Sequence, residues 1–227
     1  MSSFADLIDV LYEDNHCLGL DKPSGWPSAH SDGDEQTVDQ LAKAYLKEKY
    51  GKPGNVFLGV VHRLDKPVSG CLLFARTSKA AARLSEQFRE GAVEKVYWAV
   101  VEDGGAKPRD DRPWAFGESG ALDDWLLHDD AAQRVTVVPP GTLGAKAARL
   151  LWQVRGRHGG MVWLELRPHT GRKHQLRVQL ASRGSPIYGD AKYGSAQRLG
   201  NAIGLHARSL TFLHPTQANP VTLTAPV

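Results

Sequence analysis

The sequence predicts an α+β protein with a largely antiparallel sheet, on three observations. Short apolar or β-branched stretches bounded by glycine, proline or asparagine recur along its 227 residues, while helical periodicity is confined to a few separated segments. No regular strand-helix-strand alternation, the pattern that builds a parallel sheet, runs through the chain.

The elements follow in order. "VLYEDNHCLGLDKPSG" reads as two short strands joined around Asp14-Asn15, with Pro23 and Gly25 ending the second. Thr37 is a plausible N-cap, and Val38, Leu41, Ala42, Tyr45 and Leu46 then recur at helical spacing until Gly51 and Pro53. "NVFLGVV" and "CLLFAR" read as short buried strands, which puts Asp65 in the connection between them. Ser78 is expected to cap a second helix closed by Gly91, and "EKVYWAVVE" has the β-branched and aromatic content of a strand. Residues 102–130 carry nine acids against Lys107, Arg109 and Arg112, and are read as an exposed excursion. Strands follow at "RVTVV", "KAARLLWQV" and "MVWLELR", then a helix around "RKHQLRVQLAS" ended by Gly184, then strands at "SLTFLH" and "PVTLTA".

The length suits one sizeable domain. An apolar share of 41% and a charged share of 23% are globular values, and no apolar run approaches the ~18 residues needed to cross a bilayer. "MSSFADLIDVLYED" lacks the basic flank of a secretory signal, so a soluble, cytoplasmic protein is expected. Cys17 and Cys71 lie in apolar stretches without zinc-ligand spacing and read as buried free thiols. The formal charge of +3 is unevenly spread: between Lys146 and Arg183 stand nine Lys or Arg and one acid, Glu165. Such a segment suggests a phosphate backbone as partner, although a solvated charged face has the same composition.

Two stretches carry candidate chemistry. In "HRLDKPVSG", Pro67 and Gly70 shape a tight connection that fixes the direction of the Asp65 carboxylate, with Arg63 two residues earlier. A carboxylate in a partly dry cleft needs a cation nearby to stay ionised. In "RPHTGRKHQLRVQLASRGSPIYGDAKYG", the Thr170-Gly171 turn is expected to lead into a helix start carrying Arg172, Lys173 and His174, where amides and cations converge on a phosphate. An Asp in a turn and a helix with a charged face are the bland accounts of these stretches.

Taken together, "LDKPSGWPS", "HRLDKPVSGCLLFA", "EKVYWAVV", "TGRKHQLRVQLASRGSPIYGDAKYG" and "LHARSLTFLHP" resemble, in order and spacing, the RluA-type family of RNA pseudouridine synthases. The resemblance runs from about Leu11 to the C-terminus and lapses over roughly residues 102–145. It implies the pseudouridine synthase catalytic fold, a mixed sheet with flanking helices and a central active-site cleft. It implies a reaction that detaches uracil from ribose at N1 and rejoins it through C5, on rRNA or tRNA, with no metal, nucleotide or redox cofactor. The chain accordingly contains no GxxxxGK[ST], GxGxxG or HExxH motif.

By motif position, Asp65 corresponds to the family's essential aspartate, as nucleophile or as base, Tyr97 to its active-site tyrosine, and Arg177 to the arginine that pairs with the aspartate. The target uridine must be flipped out of its helix, and Arg63 matches the residue assigned to that step. Leu205 is a candidate wall of the uracil pocket, and Lys22, Arg172, Lys173, His174 and Lys192 are candidate phosphate contacts. His62 is expected to hold the loop by hydrogen bonds rather than to carry protons. Val68 stands where the family usually has threonine and Gln179 where histidine is more usual; neither removes a charged catalytic group, so an active enzyme is expected. The motifs begin close to the N-terminus, leaving no room for the S4-like domain that often precedes them, so residues 1–227 are read as one catalytic domain, and the lack of a heptad pattern or apolar seam makes a monomer the expectation. The competing reading is a non-catalytic RNA-binding or RNA-remodelling protein on the same fold.

Overall fold

A computed structural model of the chain describes residues 8–29, 35–103 and 118–227. They fall into two compact units: residues up to Lys95 with His206–Val227, and Val96–Leu205. In the first, strands β1 (Asp9–Glu13) and β2 (Cys17–Lys22) form the expected N-terminal hairpin. Helix α1 (Val38–Lys49) follows Thr37, whose amide donates to Gln40 Oε1 at 3.0 Å in a capping-box contact, and it buries Val38, Leu41, Ala42 and Leu46.

Strands β3 (Gly59–Val60) and β4 (Ser69–Ala75) flank the Asp65 connection as predicted. Helix α2 (Ser78–Glu90) is capped one residue earlier than expected: Thr77 accepts from the Ala80 amide at 3.1 Å, and Gly91 closes the helix in the left-handed conformation. Within this unit β2 pairs with β1 and β4, while β10 (Leu205–Leu213) pairs antiparallel with β11 (Pro220–Thr224) and parallel with β4. Cys17, Cys71, Leu73, Leu84, Leu210, Phe212 and Leu223 form its core, and both cysteines are buried free thiols, as expected.

In the second unit β5 (Glu94–Glu102) pairs with β9 (Met161–Pro168), β9 with β8 (Lys146–His158), β8 with β6 (Ser119–Asp129) and β6 with β7 (Arg134–Val138), all antiparallel. This overturns the exposed excursion over its described part. Residues 118–129 include a strand paired on both sides, with Leu122 and Leu126 buried. The pattern was hidden because Asp124 occupies the inward position between those leucines, where it is compensated by Arg183 at 3.0 Å. The stretch 104–117 lies outside the described residues. Helix α3 (Gln175–Ala181) and a short 3₁₀ turn (Ala191–Tyr193) complete the unit, with Leu126, Val135, Ala148, Val178 and Tyr193 clustered in its interior. The α+β, mainly antiparallel architecture is therefore the one expected. Among the described residues no helix is long and apolar enough to cross a membrane.

Candidate active site

Asp65 is half-buried on a turn closed by the Val68 amide donating to the Asp65 carbonyl at 3.0 Å. The "LDKPSGWPS" segment clamps this turn from outside. Ser28 Oγ donates to the Leu64 carbonyl at 2.8 Å and accepts from the Leu64 amide at 3.1 Å. The Gly25 amide donates to the Lys66 carbonyl at 2.8 Å. At the far end, Gly70 lies opposite Ala207 in the β4–β10 pair, and Ser69 Oγ sits 2.9 Å from His206 Nδ1. The carboxylate is thus mounted on backbone fixed at both ends, the arrangement a reacting group needs.

Lys22, expected among the phosphate contacts, is instead fully buried. Its ammonium donates to the carbonyls of Pro23, Trp26 and Lys66 at 2.9, 2.8 and 3.2 Å. An ammonium has three N–H bonds, and three carbonyls receive them. Burial pushes its pKa down to about 8, against the opposing pull of the Asp65 charge. Lys22 therefore joins the two loops from inside and puts a cation within electrostatic reach of Asp65. Arg63 is exposed at the head of the same turn. His62 has the structural role expected: its Nε2 accepts from the Leu73 amide at 2.8 Å, its ring stacks on Phe88, and burial drives its pKa down to about 3, helped by the Lys95 charge.

The second unit carries Tyr97 on β5, half-buried opposite Leu166, and Leu205, 4% exposed. Arg177 lies on α3, and its Nε and Nη2 donate to the two oxygens of Asp190 at 2.7 and 2.8 Å. Both side chains are buried, and the guanidinium lies 5.1 Å from the Tyr193 ring centroid. The Tyr193 hydroxyl in turn accepts from the Val135 amide at 3.1 Å and meets His174 Nδ1 at 2.8 Å.

The expected helix start at Arg172 is not formed: α3 begins at Gln175, after His174 takes a left-handed backbone conformation. Gln175 Oε1 accepts from the Arg172 amide and from Thr170 Oγ1, which holds residues 170–174 as a turn. Arg172 is exposed with Nε on the Ala147 carbonyl, Lys173 Nζ meets His128 Nε2 and Gln133 Oε1, and Lys192 is exposed on the 3₁₀ turn. Nor is the basic segment a bare positive face. Arg149 pairs with Asp123, Arg155 and Arg167 with Glu165, Arg157 with Asp103, Arg177 with Asp190 and Arg183 with Asp124.

Asp14, Cys17 and His214 bring potential metal-ligand atoms within 4.8 Å of one another. His214 Nδ1, however, accepts from the Gln217 amide at 3.1 Å, so the ring proton lies on Nε2, which donates to Asp14 Oδ2 at 2.6 Å. Burial also pushes the Cys17 thiol up to about 12. His214 is thus engaged through both ring nitrogens, and with the Cys17 amide on Asp14 Oδ1 at 2.7 Å the trio forms a hydrogen-bonded clamp between the first and last hairpins.

Ser28, Asp190 and Tyr193 were not singled out from sequence. Ser28 closes the quoted "LDKPSGWPS", while Asp190 and Tyr193 lie in "SPIYGDAKYG", so each had a motif around it but no signal for its partner.

Residues 16–182 match the family model for RNA pseudouridylate synthase. The chain is 34% identical over 221 residues to an uncharacterized RNA pseudouridine synthase of Zymomonas mobilis, covering 96% of this chain and 93% of that protein. It is 33% identical over 235 residues to ribosomal large subunit pseudouridine synthase D of Xanthomonas campestris, covering 97% of this chain and 66% of the relative's length. Among solved structures, human RNA pseudouridylate synthase domain containing 4 superposes with a TM-score of 0.75 at 25% identity, over 96% of this chain and 88% of that one. With the motifs in order and the fold shared, the chain belongs to the RNA pseudouridylate synthase family.

Proposed function

We propose that this protein isomerises one specific uridine of a structured RNA, ribosomal or transfer RNA, to pseudouridine, with Asp65 as the reacting carboxylate. The observation that carries the reading is the doubly clamped Asp65 turn, with the Lys22 cation beneath it. The reaction balances internally: the N1–C1′ bond breaks, the uracil turns, a C5–C1′ bond forms, and the C5 proton is exchanged for one at N1. Asp65 serves this either by attacking the nucleoside or by removing a proton.

Tyr97 is assigned to stacking on the base and Arg177 to keeping Asp65 ionised, both from their motif positions. A base in a helix is out of reach of a turn carboxylate, so the uridine is flipped out, with exposed Arg63 managing the gap. Leu205 is assigned to the wall of the uracil pocket. Arg172, Lys173, His174 and Lys192 remain the proposed phosphate contacts, whereas the three carbonyls on Lys22 assign it to holding the loop. The protein is proposed to act as one catalytic domain, as a monomer in the cytoplasm.

The test is a pseudouridine map of total RNA from the source organism lacking this gene, repeated after restoring the protein or its Asp65→Ala variant. A site lost on deletion and restored only by the unaltered protein is expected. Rescue by Asp65→Ala, or an unchanged map, would overturn the assignment in favour of an RNA-binding protein without chemistry.

A further inference from the structure

Arg177 is a candidate catalytic arginine with an unusually rigid seat. Asp190, 1% exposed, engages it edge to edge, an Arg–carboxylate geometry that fixes direction as well as charge. The backbone of Asp190 is itself pinned: its amide donates to the Ile187 carbonyl at 2.9 Å, and its carbonyl accepts from the Tyr193 and Ser195 amides at 3.0 and 3.1 Å. The preceding Gly189 has φ +82°, and a Cβ there would fall 2.9 Å from Leu199 Cβ, so the chain approaches more closely than another residue allows. The Tyr193 ring lies against the guanidinium, and its hydroxyl is held by β7 and His174.

This bidentate contact, through Nε and Nη2, fixes the plane and direction of the guanidinium. We propose that Asp190 is a positioning residue of the isomerase reaction: it anchors one edge of Arg177, aims the other at the reacting groups, and offsets part of its charge. The inference rests on the proposed role of Arg177. A buried ion pair by itself is weak evidence of stabilisation, since a packed apolar pair often does as well. Its use here is orientation.

The experiment compares the full-length protein with Asp190→Asn, Arg177→Lys and the double variant, using total RNA from the deletion strain labelled with tritium at uracil C5. Tritium release under single turnover reports the chemistry, filter binding reports RNA affinity, and thermal melting reports the fold. Asp190→Asn is expected to slow release by ~10²-fold, the scale of a misplaced reacting group, with RNA affinity within about threefold. In the Arg177→Lys background the same change should cost little more, because both act through one group. The acid limb of the pH–rate profile should also move to lower pH, since an uncompensated Arg177 holds a neighbouring carboxylate ionised further into acid.

Unchanged release by Asp190→Asn, additive losses in the double variant, or a fall in affinity equal to the fall in rate would each overturn the proposal. If Asp190→Asn does not fold, hydrogen exchange at Arg177 Nε in the unaltered protein decides: protection is expected, and free exchange would overturn the proposal. Absence of tritium release from the unaltered protein would instead count against the proposed isomerase function.

Discussion

The Lys22 ammonium donates to the carbonyl of Lys66, the residue after Asp65, at 3.2 Å. A buried cation thereby ties the β2 end to the turn that presents the Asp65 carboxylate. Replacing it with methionine keeps much of the volume but removes the ammonium from the carbonyls of Pro23, Trp26 and Lys66, of which Lys66 keeps the Gly25 amide. Lys22→Met is expected to lose roughly 3 kcal/mol in urea unfolding and to lose activity more steeply than RNA affinity. Because the folded pKa is about 8 and an unfolded lysine titrates near ~10.4, the unfolded state binds more protons between those values. The stability of the unaltered protein relative to Lys22→Met should therefore rise from pH 8 towards 10. A flat difference would contradict the buried charge.

His62 supplies the acid-side counterpart. Folded, it titrates near 3; unfolded, near ~6.5, so in that window the unfolded chain takes up the extra proton. Stability should fall as pH drops through the window, by up to ~1.4 kcal/mol per pH unit from this one group. His62→Gln keeps an acceptor for the Leu73 amide and should lack that component. Denaturant titrations of both proteins at pH 7, 6, 5 and 4 check it: parallel losses would refute the assignment.

Gly70 has φ +109°, and a Cβ there would lie 2.3 Å from the Ala207 carbonyl oxygen and 2.7 Å from its nitrogen, both backbone atoms. Gly70→Ala is expected to cost about 3 kcal/mol or more and to disturb the end of the Asp65 turn. A melting temperature within a degree or two of the unaltered protein would show that β4 and β10 separate easily.

Asp123 and Asp124 are adjacent but should behave differently. Asp124 is bound by Arg183 at 3.0 Å and Gln179 Nε2 at 2.8 Å, with both charged partners largely buried. Removing it strands a cation, and Asp124→Ala should cost ~3 kcal/mol. Asp123 pairs with Arg149 at 3.4 Å on the surface, and Asp123→Ala should cost under ~0.5 kcal/mol. Equal effects in urea unfolding would refute the burial argument.

Much of the fold was legible because its signals are local. Thr37, Gly51 and Gly91 punctuate helices through their own backbone preferences, and β-branched runs such as "EKVYWAVVE" declare strands. β6 was missed because Asp124 broke the period-two alternation, and its compensation lies 59 residues away at Arg183. The start of α3 was misread because Gln175, three residues on, captures the Arg172 amide in a turn.

Asp65, Tyr97 and Arg177 are proposed from chain order alone, since a motif records which chemical group stands at which position. Which charges remain available to a ligand is a property of partners, and partners are distant: Lys22 is committed to a carbonyl 44 residues away, and Asp123 and Asp124 take Arg149 and Arg183 out of the basic surface. Residue identity and local backbone preference are written in the linear order; burial and pairing arise only when folding brings separated segments into hydrogen-bonding range, so those the tertiary structure decided.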